Sequence, residues 1–184
     1  YENMLYTMKL SGKEVKDALE MSYNLWTNQM KSADDHLLLF RKQRREAATD
    51  RASFQNFSFN FDSAAGIIYT VDVTKPKGEK ITIISMADGT PFSMDKMYKV
   101  ALNSYRGNGG GELLTKGAGI PQDELKGRIL FSTDKDLRYY LMQYIEKKGV
   151  IEPHALGQWK FIPEEWVEPA AKRDYEYLFG KVEK

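Results

Sequence analysis

The sequence predicts an α+β domain in which helices pack on a mixed, largely antiparallel sheet. Three features predict it. A capping-box signature opens a helical apolar repeat, period-two apolar runs are joined by Gly and Pro turns, and a second helical stripe ends in Lys147, Lys148 and Gly149.

In chain order, "NMLYTMKL" alternates well enough to be a strand. It leads into Ser11-Gly12-Lys13-Glu14, where Ser11 caps the helix amides and Glu14 reaches back to the Ser11 amide. Behind that box Val15, Ala18, Leu19, Ser22, Leu25 and Trp26 recur at helical spacing, which buries one face. From Lys31 to Arg51 the chain is charged, with only Leu37 to Phe40 apolar, and an exposed helical insertion is expected. The period then falls to two, with Phe57, Phe59 and Phe61 on one side and Ser58 and Asn60 on the other, the pattern of a half-buried strand. Ile67 to Val73 and Lys80 to Met86 are expected as strands joined by "TKPKGEK", whose Pro76 and Gly78 mark a turn. "MADGTPF" is a second turn, and Tyr98 to Asn103 is a strand that enters "SYRGNGGGEL". Ser132 or Thr133 can cap a helix carrying the stripe Leu137, Tyr140, Leu141, Tyr144 and Ile145. After Pro153, Trp159, Phe161 and Trp166 stand among prolines and charges, as in an extended arm that packs by its aromatics. The predicted organisation is one domain over 1–150 and an aromatic, charged arm over 151–184.

With 184 residues, 42% hydrophobic and 12% aromatic, the chain can bury one substantial core. No run approaches the roughly 20 apolar residues of a membrane span. Lys and Arg number 27 against 26 Asp and Glu, a net charge of +1, so no global field draws in a nucleic-acid polymer. The absence of cysteine excludes disulfides and thiolate chemistry. The chain opens on Tyr1 with no basic region and apolar run behind it, and reads as a piece of something longer.

Chemistry has few carriers. His36 stands in "ADDHLLL", where Asp34 and Asp35 are conceivable co-ligands, yet a charge-rich stretch is more often a wet face; His154 after Pro153 reads as structural. A hydrolytic dimetal centre needs a convergent cluster of His, Asp and Asn, which two scattered histidines do not build. No G-x-S-x-G turn supports a serine nucleophile. The glycine loop fits neither phosphate-binding pattern: G-x-G-x-x-G read from Gly107 puts Glu112 at the third glycine, and no Gly-Lys-Ser/Thr follows. It offers a strand that ends in Tyr105, a cationic Arg106 and a backbone open to close approach. On the residues alone two readings stand, a tight structural exit from a core strand or the floor of a small-molecule site.

Three separated motifs carry a resemblance. "YENMLYTMKLSGKEVKDALE" resembles the opening of the C-terminal domain of the 5'-nucleotidase family, which includes UDP-sugar hydrolases and 2',3'-cyclic-nucleotide phosphodiesterases. "AAGIIYTVDVTKPKGEKI" is similar to that family's hairpin, and "MYKVALNSYRGNGGGEL" to its strand, aromatic and glycine loop. The match runs in order from Tyr1 to about Glu112 and more loosely to about Lys148.

The resemblance implies a substrate-binding domain of a nucleotidase active in nucleotide catabolism. The base would lie between aromatic rings at Tyr1 and Tyr105, with Asn3 hydrogen-bonding its edge and Gly109, Gly110 and Gly111 forming the loop. The family's Asp that binds the ribose hydroxyls falls on Gly111, and Glu112 follows, one position late. Two divalent metal ions and the hydrolysis belong to a separate N-terminal calcineurin-like metallophosphoesterase domain, and the phosphate-binding arginines lie upstream of the opening motif. The expectation is therefore a chain with no catalytic residue and no metal ligand, inactive alone, whose partners are a nucleoside or nucleotide and that N-terminal domain. The parent would be exported, periplasmic or at the cell surface. The runner-up is a non-catalytic module with a decayed pocket, which binds a protein partner through the charged insertion or the aromatic tail.

Overall fold

The computed structural model describes residues 2–41 and 53–180. Along them run β1 (Met4–Ser11), α1 (Gly12–Trp26), β2 (Ile67–Asp72), β3 (Ile81–Met86), β4 (Met97–Asn103), the single turn α2 (Ser104–Gly107), β5 (Ile129–Asp136), α3 (Leu137–Lys148), β6 (Trp159–Ile162) and α4 (Glu164–Phe179). The chain divides into two compact units, Tyr1–Ala18 with Ser93–Gly157 and Leu19–Phe92 with Gln158–Lys184. The α+β class with largely antiparallel strands is as expected, and the strands form two three-stranded sheets, one in each unit, centred on β1 and β2.

In the first unit β1 lies between β4 and β5, antiparallel to both. The alternation along β1 sends Tyr6, Met8 and Leu10 to one face, where they pack with Leu114, Ile120 and Leu125 and with Val15 and Ala18 of α1. The capping box forms as the sequence predicts: the Glu14 amide donates to Ser11 Oγ at 3.1 Å and the Ser11 amide to Glu14 Oε2 at 2.6 Å. Two further first-turn amides, of Gly12 and Lys13, donate to the carbonyls of Lys96 and Met94.

The α3 cap is not where the sequence places it. Ser132 pairs with Tyr6 across the sheet, and Thr133 Oγ1 accepts the Leu5 amide at 3.0 Å, so both residues are held in β5. The cap passes to Asp136, which accepts from the Tyr139 amide at 2.9 Å; that bond, ahead of the Arg138 guanidinium, holds the Asp136 carboxyl below the usual range. The stripe is helical as expected, but Tyr140, Leu141, Tyr144 and Ile145 stand exposed.

The second unit is built around β2, antiparallel to β3 and parallel to β6. Ile67, Tyr69 and Val71 bury alternate positions of β2. Tyr23 of α1 is fully buried among the rings of Phe61, Tyr69, Trp159 and Phe161, and its hydroxyl meets that of Tyr69 at 2.9 Å. Beyond these rings Met30, Leu37, Val73 and Ala170 form a core joined by Trp166 and Val167.

Four further expectations meet a different outcome in this unit. The Phe57–Phe61 run is a 3₁₀ turn over Ser58–Asn60 rather than a strand: the amides of Asn60 and Phe61 close on the carbonyls of Phe57 and Ser58, and among the described residues no neighbouring strand supplies a ladder. The segment 31–41 is made of turns, with Asp35 accepting from the Lys31 and Ser32 amides at 2.6 and 3.1 Å; the rest of the expected helical insertion, 42–51, lies outside the described residues. The tail is regular, since β6 gains backbone partners in β2 and α4 packs Trp166 and Val167 into the core. His36 is half exposed rather than fully wet, because Asp174, buried in α4, hydrogen-bonds its Nδ1 and also accepts the Leu38 amide at 2.8 Å.

Candidate functional site

The glycine loop leaves the end of β4. The pairing Leu5↔Asn103 is continued one step by the Met4 amide, which donates to Ser104 Oγ at 3.0 Å, so Asn3 and Tyr105 come to the same end of the β1/β4 pair from opposite ends of the unit's sequence. The Asn3 carbonyl accepts the Leu137 amide at 2.8 Å, which fixes its backbone. Asn103 caps the turn α2 by accepting the Arg106 amide at 2.8 Å. Tyr105 then projects from the turn with 41% of its surface exposed. Tyr1, the other expected ring, lies outside the described residues.

The glycines are required by what touches them. A Cβ on Gly107 would meet the Tyr6 ring at 2.5 Å, one on Gly109 the Gln122 Oε1 at 2.4 Å, and one on Gly110 the Tyr105 ring at 2.5 Å and the Tyr105 carbonyl at 2.6 Å. Gly109 and Gly111 also hold φ of 91° and 70°. These contacts show the loop as a tight structural exit from β4, and the tightness packs its backbone against the exposed tyrosine.

Glu112 adopts φ of 63°, the single positive φ at a non-glycine among the described residues. Its Oε1 lies 2.7 Å from Lys116 Nζ, one turn on. Arg106, which the sequence offers only as a nearby cation, is buried: its guanidinium sits over the Tyr105 ring, 5.2 Å from the centroid, and Nη1 donates to the Gly110 carbonyl at 3.0 Å. The Tyr-Arg pair before a glycine run is its only signal in the sequence, because burial of Arg106 depends on the loop folding back.

The site thus offers a half-exposed planar ring on a rigid backbone, which suits stacking of a flat heterocycle. Among the described residues no group of three or more His, Asp or Glu is arranged to hold a metal ion. These residues do not fit the divalent metals implied for the parent, and no chemical step is routed through a metal here. Among the same residues no helix is long and apolar enough to cross a membrane.

The family model described as 5'-nucleotidase, C-terminal domain, matches residues 1–116. The chain is 32% identical over 176 residues to the trifunctional nucleotide phosphoesterase protein YfkN of Bacillus subtilis, covering 89% of this chain and 10% of that protein. It is 28% identical over 179 residues to a 2',3'-cyclic-nucleotide 2'-phosphodiesterase/3'-nucleotidase of Salmonella typhimurium, covering 89% of this chain and 24% of the relative. In fold it is similar to the crystal structure of a 5'-nucleotidase precursor from Thermus thermophilus, with a TM-score of 0.57 at 20% identity over 88% of this chain and 26% of that one.

Proposed function

Because the chain belongs to the 5'-nucleotidase C-terminal domain family, we propose that it binds the nucleoside of a nucleotide whose phosphoester is hydrolysed by a metal centre elsewhere in a longer polypeptide. The observation that carries this reading is the half-exposed Tyr105 ring, backed by Gly110 and sharing one end of the β1/β4 pair with Asn3. Stacking of one base contributes ~1 to 3 kcal/mol, below the ~4 kcal/mol of a ~1 mM complex, so binding by this chain without phosphate contacts is expected in the millimolar range or weaker.

The ester is a 2',3'-cyclic or 3'-phosphate. A carboxylate at position 111, which the resemblance would place against the ribose, accepts hydrogen bonds from free 2'- and 3'-hydroxyls. It repels a phosphate on those oxygens, by roughly 1 to 2 kcal/mol for unit charges about 4 Å apart at the high effective dielectric of an exposed loop. Gly111 removes that carboxylate, and Glu112 is engaged by Lys116. The printed name of the Salmonella relative agrees with this choice.

The test is a titration followed by NMR, using adenosine, 5'-AMP, 3'-AMP and 2',3'-cyclic AMP. Saturable shifts are expected in the wild type and not in Tyr105→Ala, with spectral dispersion unchanged. Gly111→Asp, at a φ that Asp tolerates, is expected to favour 5'-AMP over 3'-AMP by about tenfold relative to wild type. Equal shifts in wild type and Tyr105→Ala would remove Tyr105 from the site. Silence of the wild type at several millimolar adenosine would favour the decayed module instead.

A further inference from the structure

Arg106 has a role that the nucleoside-binding reading does not assign. It is 5% exposed, and a guanidinium taken out of water needs its environment to repay the loss. Two contacts do so. The cation lies over the Tyr105 ring, 5.2 Å from its centroid, and Nη1 donates to the Gly110 carbonyl at 3.0 Å. Gly110 is the residue whose missing Cβ would fall 2.5 Å from two atoms of the same ring. One buried side chain therefore touches both components of the exposed face, the ring and the backbone it rests on.

We propose that Arg106 is a positioning residue, which clamps the Tyr105 ring against Gly110 so that the stacking face exists before a base arrives. This rests on the assignment of Tyr105 to base stacking. A tyrosine side chain has two free torsions, and a mobile ring must lose them on binding; a ring already held gives up less, so affinity rises without any new contact to the base. The cation also draws on the π-cloud of the ring, 41% of whose residue surface stays exposed. Lysine supplies the charge but not the planar fork that reaches ring and carbonyl together. Arg106 touches no base, and its effect is transmitted through Tyr105 and Gly110.

The clamp has a signature in the unliganded protein. A Gly110 Hα replaces the missing Cβ against the ring, so a strong nuclear Overhauser contact between Tyr105 ring protons and Gly110 Hα is expected, with an upfield ring-current shift of that proton. In Arg106→Met, which keeps the volume and removes the cation, the contact should weaken, and adenosine affinity should fall by about tenfold while thermal unfolding still shows one folded transition. Arg106→Lys should recover part of the affinity and little of the Gly110 contact. An undiminished Gly110 contact in Arg106→Met would overturn the clamp whatever the affinity does. Wild-type affinity in that variant would do the same, provided Tyr105→Ala has lost binding. Equal adenosine binding by wild type and Tyr105→Ala would instead sink the stacking assignment, and the clamp would fall with it, so the two failures are read separately.

Discussion

Burial lowers the Lys80 ammonium to a pKa of about 8, against the attraction of Glu20 and Asp72. Its Nζ donates to the Asn28 carbonyl at 2.6 Å, while its own amide and that of Ile81 donate to the Glu20 carboxylate at 3.1 and 2.7 Å. The folded pKa lies below the unfolded one, so between about 8 and about 10.5 the unfolded chain binds more protons and stability rises with pH. Below that window the cost of the buried charge is present in full. Burial pushes Tyr23 and Tyr69 upward, so toward about pH 10 the unfolded phenols lose protons that the folded ones keep and oppose the trend, an effect common to wild type and Lys80→Met that cancels in their difference. In urea unfolding, the stability of wild type relative to Lys80→Met should increase from about pH 7.5 to about pH 9.5. A constant difference would mean that Lys80 titrates as it does in water. Nothing in the sequence marks Lys80, since it stands in a turn-like "KGEK" beside lysines that are exposed.

At the scale of elements, local signals were legible where local contacts complete the structure. The Ser11 box needs only residues three apart, and it forms; Ser11→Ala should cost about 1 kcal/mol in urea unfolding, and a change below about 0.3 kcal/mol would show that the Lys96 and Met94 carbonyls already suffice for the first turn. β2 and β3 likewise follow from alternation and the Gly78 turn. The Phe57–Phe61 run misleads because alternation describes side chains, whereas a strand requires a partner for its amides. Phe57 and Phe59 stack on each other at 5.3 Å instead, and Phe61 turns to Tyr23 and Trp26. The tail misleads in the opposite direction: its prolines read as an arm, yet Trp159 to Ile162 gain a parallel partner far upstream in β2.

For the whole molecule, the chain spans 10% and 24% of two of the curated relatives it matches, and the proposed function puts hydrolysis outside this chain. Purified alone with added divalent metal, this chain should show no turnover of 2',3'-cyclic AMP or 3'-AMP above a metal-only control. Turnover abolished by a single substitution within it would move the catalytic centre into these residues. Sequence by itself determined the Ser11 cap, the hairpin, the glycine loop and the family motifs, because each depends on residues a few positions apart and on backbone angles that few side chains permit. Tertiary structure alone decided which residues meet: Asn3 with Tyr105 through a register of strands about a hundred positions apart, His36 with Asp174, and the Gly107 and Gly109 backbones with Tyr6 and Gln122. Those meetings follow from strand pairing and core packing, whose energy comes from distant segments burying surface together and leaves no period in the sequence.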